Sequence, residues 1–252
     1  MKILFTICGR AGSKGIKNKN IRNFLGMPLS YFTLSTIEIY KEKHRDMDIS
    51  VALNTDSQEL KQQVEDYSAL EVMYIPRKSD LANDIVAKRD VIIDTLVEMQ
   101  AVTCKQYDLV VDLDITSPLR TVANLEDAIS KQIGTKADVV FSVTPSRRNP
   151  YFNMVKKKEM GVERAISSTF TTRQEAPEMF DMNASIYVYR VQHLLDGKGV
   201  LEGYNEMIQM MDTGVLDLDH EGDFELMEVI AEYLFSKQEA FQKIIDRIKN
   251  RN

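Results

Sequence analysis

Cysteine, histidine and tryptophan are scarce in this 252-residue chain, which contains two cysteines, three histidines and no tryptophan. Cys8 and Cys104 are far apart, so a disulfide framework is excluded and a reducing compartment is expected. His44, His193 and His220 are too scattered for a Cys/His zinc site. The chain therefore belongs neither to the disulfide-rich class nor to the zinc-stapled class of small domains.

Long apolar runs and an excess of positive charge are also absent. No run approaches the ~18 apolar residues of a membrane span, and the apolar stretch at the N-terminus is too short for a signal peptide. The formal net charge is −6, so nucleic acid is not expected as the main partner. We expect no membrane partner either, and a cytoplasmic location.

The chain alternates short apolar runs with longer amphipathic segments, which predicts an α/β fold with a mostly parallel sheet flanked by helices. The alternation weakens in a polar stretch after Pro145. We expect one domain over residues 1–252, with an excursion from its main sheet at approximately residues 145–190. The predicted strands cover residues 2–8, 49–53, 71–75, 109–113, 138–143 and 184–190. The predicted helices cover residues 28–43, 57–67, 86–102, 125–133 and 221–235.

A loop rich in glycine and cations follows the first predicted strand. Residues 8–20 contain three glycines, four cations and a serine. Glycines let a backbone approach a ligand closely, and successive N–H groups form anion-binding concavities. The order of residues matches neither the P-loop nor the dinucleotide fingerprint. On composition alone, a solvated basic turn remains the alternative to a phosphate-binding loop.

The pattern R-x-G-S-K-G-I-x-x-K-N-I, which begins at Arg10, resembles the signature of the acylneuraminate cytidylyltransferases. This family comprises the CMP-sialic acid synthetases and their relatives for other nonulosonic acids and for Kdo. The resemblance implies a Rossmann-like nucleotidyltransferase sheet and CTP as substrate. It also implies that Arg10, Ser13 and Lys19 meet the CTP phosphates, and that Gly12 and Asn20 shape the loop.

Two further motifs resemble the nucleotide side of the family. Asn54-Thr55-Asp56-Ser57 is similar to an S-T-D stretch, although Asp56 or Ser57 is favoured as a plain helix N-cap. The segment from Arg77 to Asp84 resembles R-P-x-x-L-A-x-D, which implies that Arg77 faces the nucleotide; a surface arginine is the alternative.

The segment from Asp112 to Arg120 ends in T-S-P-L-R, as in the family, and the resemblance assigns Ser117 to the nucleotide. Thr116 and Ser117 could equally cap a turn. Asp114 stands where relatives often carry a glutamine that helps to hold the acceptor sugar, which leaves it open to bind the sugar, join a metal or take a proton. Lys88 stands where relatives often carry serine or threonine.

Residues 173–187 carry the resemblance on the acceptor side. Arg173-Gln174 resembles R-Q-x-x-P on an arm that reaches across a homodimer in relatives, so Arg173 and Gln174 are expected to contact the sugar. The segment from Asn183 to Tyr187 resembles N-G-A-I-Y, with Ala184 in place of glycine, and implies that Asn183 and Tyr187 line the sugar pocket. Arg173 on a solvated arm and Tyr187 packed in the sheet are the alternatives.

Asp217 and Asp219 are the candidate metal ligands. In an extended segment residues two apart share a face, so the two carboxylates would lie side by side and favour a cation between them. Oxygen ligands of this kind suit Mg²⁺. Their spacing, with Asp223, matches the family's D-I-D-x-x-x-D. Acids that simply precede and cap the last predicted helix are the alternative.

The resemblance as a whole implies transfer of CMP from CTP to the anomeric hydroxyl of an acidic nine-carbon 2-keto sugar, such as N-acetylneuraminate or legionaminate. Arg10 and Lys19 would offset charge on the departing pyrophosphate, and Asp217 and Asp219 would complete the catalytic set through Mg²⁺. Two alternatives stay open. One is a nucleotidyltransferase for another nucleotide or sugar, such as Kdo, and the other is a CTP-binding regulator without catalysis.

Overall fold

The structure is a computed structural model that describes residues 1–12, 15–83, 85–214, 218 and 220–250. In chain order its strands are β1 (Lys2–Cys8), β2 (Asn23–Phe24), β3 (Met27–Pro28), β4 (Asp48–Thr55), β5 (Met73–Pro76), β6 (Leu109–Leu113), β7 (Val139–Pro145), β8 (Val155–Lys157), β9 (Val162–Arg164), β10 (Phe180–Arg190) and β11 (Asn205–Gln209). The α-helices are α1 (Leu29–Lys43), α2 (Gln58–Asp66), α3 (Lys88–Thr103), α4 (Val122–Gly134), α5 (Val191–Leu195), α6 (Glu221–Lys237) and α7 (Glu239–Lys249). Short 3₁₀ turns cover Lys19–Ile21, Ser79–Leu81 and Arg173–Glu175.

The main sheet has the strand order β11-β7-β10-β6-β1-β4-β5. Strand β10 is antiparallel to β6 and β7, and the other neighbouring pairs are parallel. The predicted α/β class with a mostly parallel sheet is thereby confirmed. From β1 the chain first adds β4 and β5 on one side, and then crosses to add β6 on the other.

Apolar side chains cover both faces of the sheet because alternate residues of each strand point to opposite faces. In β1, Phe5 belongs to a core formed with α1, α4, α6 and α7, whereas Leu4 packs with Ile92 and Leu96 of α3. Both groups are fully buried or nearly so. Packing on both faces of the sheet therefore holds the ends of the strands, and with them the starts of the loops that follow.

Several elements were not predicted. Helix α7 packs on α1, where the hydroxyl of Ser35 donates to Ile244 O at 3.0 Å, and its residues Ile244 and Ile248 are buried. Strand β11 adds a polar edge strand parallel to β7. Within the described ranges, no helix combines the length and the apolar character that crossing a membrane requires.

Between β7 and β10 the chain leaves the main sheet for residues 146–179, within the expected excursion. Strands β8 and β9 form a separate antiparallel pair there. Residues 180–190 of the expected excursion belong to β10, and so to the middle of the sheet.

Candidate active site

Several of the predicted site residues lie where the parallel strands of the main sheet end. Arg10 follows β1, Arg77 follows β5 and Asp114 follows β6. The strand order changes direction between β1 and β6, since β4 lies on one side of β1 and β6 on the other. In open α/β sheets, ligands bind in the crevice outside the carboxyl ends of strands at such a switch point.

The loop after β1 is fixed at its first residue by close packing. The N–H of Gly9 donates to Asn54 O at 3.2 Å. A Cβ added at Gly9 would lie 2.5 Å from Leu60 Cδ2 and 2.9 Å from Ile115 Cδ1. A side chain at this position would require the buried side chains of Leu60 and Ile115, or the loop itself, to shift, so glycine allows the close packing seen here.

Further contacts hold the loop close to the strand ends. The N–H of Ala11 donates to Asp56 Oδ1 at 2.8 Å, and the side-chain amide of Asn20 donates to Arg10 O at 3.0 Å. Ile16 is fully buried and anchors the middle of the loop in the core. The backbone around Arg10 is therefore held in one place at the end of β1.

The remaining predicted loop residues differ in what the structure describes. Gly12 has φ +69°, in the left-handed region that favours glycine. Lys19 and Asn20 are half-buried in the 3₁₀ turn that follows. Ser13 lies outside the described residues, so its contact with phosphate remains a prediction.

The two residues expected to cap α2 have separate roles. The hydroxyl of Ser57 accepts the N–H of Leu60 at 3.1 Å, which confirms Ser57 as the N-cap. Asp56 instead accepts the loop N–H of Ala11. The S-T-D-like stretch thus starts a helix and also positions the candidate phosphate loop.

Asn54 orients the guanidinium of Arg77. Arg77 Nε donates to Asn54 Oδ1 at 2.9 Å, and Arg77 Nη2 donates to Asn54 O at 3.1 Å. That backbone oxygen also accepts the N–H of Gly9, so Arg77 and the loop after β1 share one anchor. Burial lowers the pKa of Arg77, yet arginine stays charged at neutral pH. Arg77 is therefore a fixed cation beside the loop.

An ion-paired triad lies at the end of β6. Lys88 Nζ lies 2.8 Å from Asp112 Oδ2 and 2.8 Å from Asp114 Oδ2. Asp112 is fully buried within β6, and its other oxygen accepts the hydroxyl of Thr6 at 2.8 Å. Asp114 Oδ1 accepts the N–H and the hydroxyl of Thr116 at 3.0 and 2.9 Å. The two departures from the family pattern, Lys88 and Asp114, are thus partners.

The triad fixes the charge state of Asp114. Burial alone would raise the pKa of Asp114, but the Lys88 ammonium and the hydrogen bonds from Thr116 hold it well below its usual range. Burial would likewise lower the pKa of Lys88, and the two aspartates raise it well above its usual value. Asp114 is therefore ionised and a poor proton acceptor at neutral pH, which argues against it as the general base.

Arg120, the last residue of the T-S-P-L-R motif, is fully buried and fastens the turn after β6. Its Nε and Nη2 donate to Ser117 O at 3.0 and 2.8 Å, and its Nη1 donates to Ser185 O of β10 at 3.0 Å. Nη2 also donates to the backbone oxygen of Asp114. Burial lowers the pKa of Arg120 to about 10. Its place is structural, beneath the candidate site.

Asn183 and Ser117 line the same small cavity beside Thr144 and Met210. The hydroxyl of Ser142 donates to Asn183 Oδ1 at 2.6 Å, which fixes the buried amide. The adjoining Ala184 has φ +52°, a left-handed conformation that costs alanine about 1 kcal/mol. The register of β10 against β7 shifts here, so this irregularity sets the direction of Asn183.

Tyr187 lies in β10 directly opposite Asp112 of β6. Residues opposite each other in an antiparallel pair share a face, so Tyr187 lies on the sheet face that carries the triad. Its half-buried ring stacks on Tyr189, with centroids 6.1 Å apart. Tyr187 and Asn183 belong to β10, and Asp114 and Ser117 lie in the turn after the neighbouring β6. The small cavity at Asn183 is lined by Ser117 but by neither Asp114 nor Tyr187.

Arg173 and Gln174 lie elsewhere, on the excursion. Both are exposed and line a cleft of about 460 Å³ together with Pro145, Asn149 and Pro177. Arg173 Nη2 donates to Ser146 O at 3.1 Å, directly after β7. This cleft shares no lining residue with the cavity at Asn183.

Asp217 and Asp219, the predicted metal ligands, lie outside the described residues. Leu218 is fully buried, and α6 begins at Glu221. The N–H of His220 donates to Asp223 Oδ2 at 2.8 Å in a capping box, as expected of a cap at Asp223. Across the part of the chain that is described, no three His, Cys, Asp or Glu side chains form a metal-binding group.

Asp112, Lys88 and Arg120 were not predicted as partners in the site. The sequence did contain a signal for Asp112, because an acid inside an otherwise apolar strand requires a buried cation or hydrogen bonds. That reasoning would have sought a lysine or arginine near β6. It would not have chosen Lys88, which is 24 positions earlier in the sequence.

Comparison with known proteins identifies the family of the chain. Residues 4–243 match the family model described as cytidylyltransferase. The chain belongs to the cytidylyltransferase family. It is 33% identical over 229 residues to the post-translational flagellin modification protein B of Campylobacter coli, covering 91% of this chain and 94% of the relative. It is 32% identical, with the same coverage of both chains, to the CMP-N,N'-diacetyllegionaminic acid synthase of Campylobacter jejuni.

A solved structure shares the fold of this cytidylyltransferase family member. The CMP:2-keto-3-deoxy-manno-octonic acid synthetase complexed with CTP superposes with a TM-score of 0.63 at 14% identity, covering 92% of this chain and 99% of that one. The likeness supports the fold: a Rossmann-like, mostly parallel sheet with helices on both faces.

Proposed function

We propose that this chain transfers CMP from CTP to the anomeric hydroxyl of an acidic nine-carbon 2-keto sugar and releases pyrophosphate. The observation that carries the proposal is the match to a legionaminic acid CMP synthase along 91% of this chain. The geometry supports it, because cations and a glycine-dependent loop stand at the switch point of the sheet, where a nucleotide would lie.

On the nucleotide side, Arg10 and Lys19 bind the phosphates, together with Ser13 and the backbone of Gly12. Asn20 holds the loop through its hydrogen bond to Arg10 O. Arg77, fixed by Asn54, meets the nucleotide from β5. These cations offset the charge of pyrophosphate as the bond to the α-phosphorus breaks, which is where positioning and charge contribute most.

On the acceptor side, Asp114, Asn183 and Tyr187 line the sugar pocket, with Ser117 between it and the nucleotide. The sugar's anomeric oxygen attacks the α-phosphorus and its proton passes to solvent, while the oxygen bridging to the β-phosphorus leaves with pyrophosphate. Arg173, next to Gln174 on the excursion, pairs with the sugar carboxylate, since an arginine fork matches a carboxylate.

Mg²⁺ is the proposed cofactor. Asp217 and Asp219 would hold it, because paired carboxylate oxygens are the ligands that this cation prefers. When bound, the ion supplies charge neutralisation at the phosphate oxygens. Removal of divalent cations with a chelator should stop turnover, and added Mg²⁺ should restore it; turnover that persists in the chelator would contradict the assignment.

A homodimer in the cytoplasm is the proposed state of the protein. The excursion exposes Met154, Val155, Met160, Val162 and Ile166, each more than 40% accessible. A two-stranded hairpin is marginal alone, and clustered exposed apolar side chains mark interaction surfaces. Light scattering should give twice the chain mass of 28.9 kDa, whereas a monomer at micromolar concentration would refute the dimer.

The reaction is tested by pyrophosphate release with Mg²⁺, CTP and a panel containing N-acetylneuraminate, legionaminate, pseudaminate and Kdo. ATP, GTP and UTP serve as donor controls. We expect release with CTP and at least one nine-carbon sugar acid. Release only with Kdo, or only with another nucleotide, would replace the proposal with a different nucleotidyltransferase. Tight CTP binding without release on any acceptor would indicate a regulator.

A further inference from the structure

We infer that Lys88 is a positioning residue, which holds Asp114 as a hydrogen-bond acceptor for a hydroxyl or amide N–H of the acceptor sugar. The inference rests on the proposed function and deepens it. It assigns a task to a lysine that reaches the site from the first residue of α3, on the face of the sheet opposite α1.

The first argument is geometric. Lys88 Nζ bridges Asp112 and Asp114 at 2.8 Å each, so its position depends on both carboxylates. A lysine in the first turn of a helix is opposed by the helix dipole. Two carboxylates overcome that opposition here, and Asp112 can serve this purpose because it is fully buried and held by Thr6.

The second argument counts acceptor sites on Asp114. A carboxylate accepts about four hydrogen bonds. Oδ1 already accepts the N–H and the hydroxyl of Thr116, and Oδ2 accepts Lys88. One acceptor site remains on Oδ2, and the side chain is 23% exposed at the carboxyl edge of the sheet. The exposure leaves that acceptor site accessible to a ligand at the carboxyl ends of the strands.

The third argument concerns charge. Lys88 keeps Asp114 ionised, so Asp114 offers a lone pair and no proton to a ligand. An ionised Asp114 repels a sugar carboxylate, which must therefore lie away from β6. The group that meets Asp114 is then an O–H or N–H donor of the sugar.

The experiment compares steady-state constants of the full chain and its variants with CTP and the accepted sugar. Asp114→Asn keeps the shape of the side chain and leaves Lys88 with Asp112. It should raise the acceptor KM by about 10- to 100-fold, the effect of losing one charge-assisted hydrogen bond. The CTP KM should stay within about twofold.

Lys88→Met alone would leave two unpaired carboxylates and risks unfolding. Lys88→Met/Asp112→Asn removes one charge of each sign, and should also raise the acceptor KM by about tenfold without changing the CTP KM. Adding Asp114→Asn to this double variant should raise the acceptor KM little further, because the double variant and Asp114→Asn disable the same contact with the sugar. Lys105→Met is the matched control, since Lys105 is equally exposed and pairs with Asp48 at the opposite edge of the sheet.

A second readout uses acceptor analogues that each lack one hydroxyl or one amide N–H. For one analogue, the acceptor KM of the wild type should be about tenfold higher than for the complete sugar. The acceptor KM of Asp114→Asn should be the same for that analogue and for the complete sugar. Additive effects in the triple variant, unchanged acceptor KM in Asp114→Asn, or no analogue that distinguishes the two proteins would overturn the inference. If the wild type releases no pyrophosphate with any sugar acid, the proposed function fails first.

Discussion

Arg120 provides the sharpest test of how the site is held together, because Arg120→Met removes a buried guanidinium without enlarging the side chain. Of its carbonyl partners, Ser185 O also accepts the N–H of Asp114, and Asp114 O also accepts the hydroxyl of Thr33. Ser117 O has no other hydrogen-bond donor in the described part of the chain. We therefore expect one unsatisfied carbonyl and several weakened contacts.

An unsatisfied buried carbonyl costs about 1–3 kcal/mol, and a hydrogen bond from a charged donor contributes about 1.5–3 kcal/mol. The variant no longer pays the desolvation cost of a buried cation, which offsets part of this loss. The free energy of unfolding should therefore fall by about 3 kcal/mol. For a chain of this size that lowers Tm by roughly 6–12 °C. Urea unfolding followed by circular dichroism measures it, with Arg147→Met as the control.

Arg147 is exposed and pairs with Asp212, and because solvent screens such a pair, its loss should change the free energy of unfolding little. A fall below about 1 kcal/mol for Arg120→Met, or equal falls for the two variants, would refute the structural role of Arg120. The acceptor KM should rise with Arg120→Met as well, since the turn that carries Ser117 and Asp114 loses its fastening.

Three further changes test separate parts of the account. The wild type should be more stable than Asp114→Asn above pH 3.8, the ordinary pKa of the carboxyl, and this difference should shrink as the pH falls through the lowered pKa of Asp114 in the folded state. A difference that grows towards acid pH would show that Lys88 does not stabilise the ionised form of Asp114. Asp219→Ala should abolish turnover while leaving the circular dichroism spectrum and Tm unchanged, and activity equal to wild type would remove Asp219 from the metal site. Gly9→Ala should lower kcat/KM for CTP at least tenfold and Tm by several degrees, because the added Cβ would lie 2.5 Å from Leu60 Cδ2; normal CTP kinetics would mean that the loop does not depend on this contact.

The sequence predicted the elements whose local pattern agrees with their place in the fold. Strands β1 and β6 have the bounds predicted for them, because most of their residues are apolar and buried on both faces of the sheet. The antiparallel direction of β10 has no local signal, because the excursion between β7 and β10 is long enough to return the chain in either direction. Strand β11 lies at an edge, and its polar sequence reflects exposure there more than strand preference.

The candidate site was predictable as a set of loops at strand ends, but its internal contacts were not. Lys88 and Asp114 each departed from the family pattern and looked like two separate anomalies. Only the packing of α3 across the sheet places them 2.8 Å apart. Arg120 was known only as the last residue of a motif, and its burial beneath the turn likewise depends on the packing of distant elements.

The fate of the α-phosphorus of CTP tests the central claim most directly. With CTP labelled at that atom, Mg²⁺ and an accepted sugar acid, the label should appear in a CMP-sugar while unlabelled pyrophosphate is released in equal amount. Label recovered only as free CMP, as CDP or as unchanged CTP, with every sugar acid tested, would contradict CMP transfer as the activity of this chain.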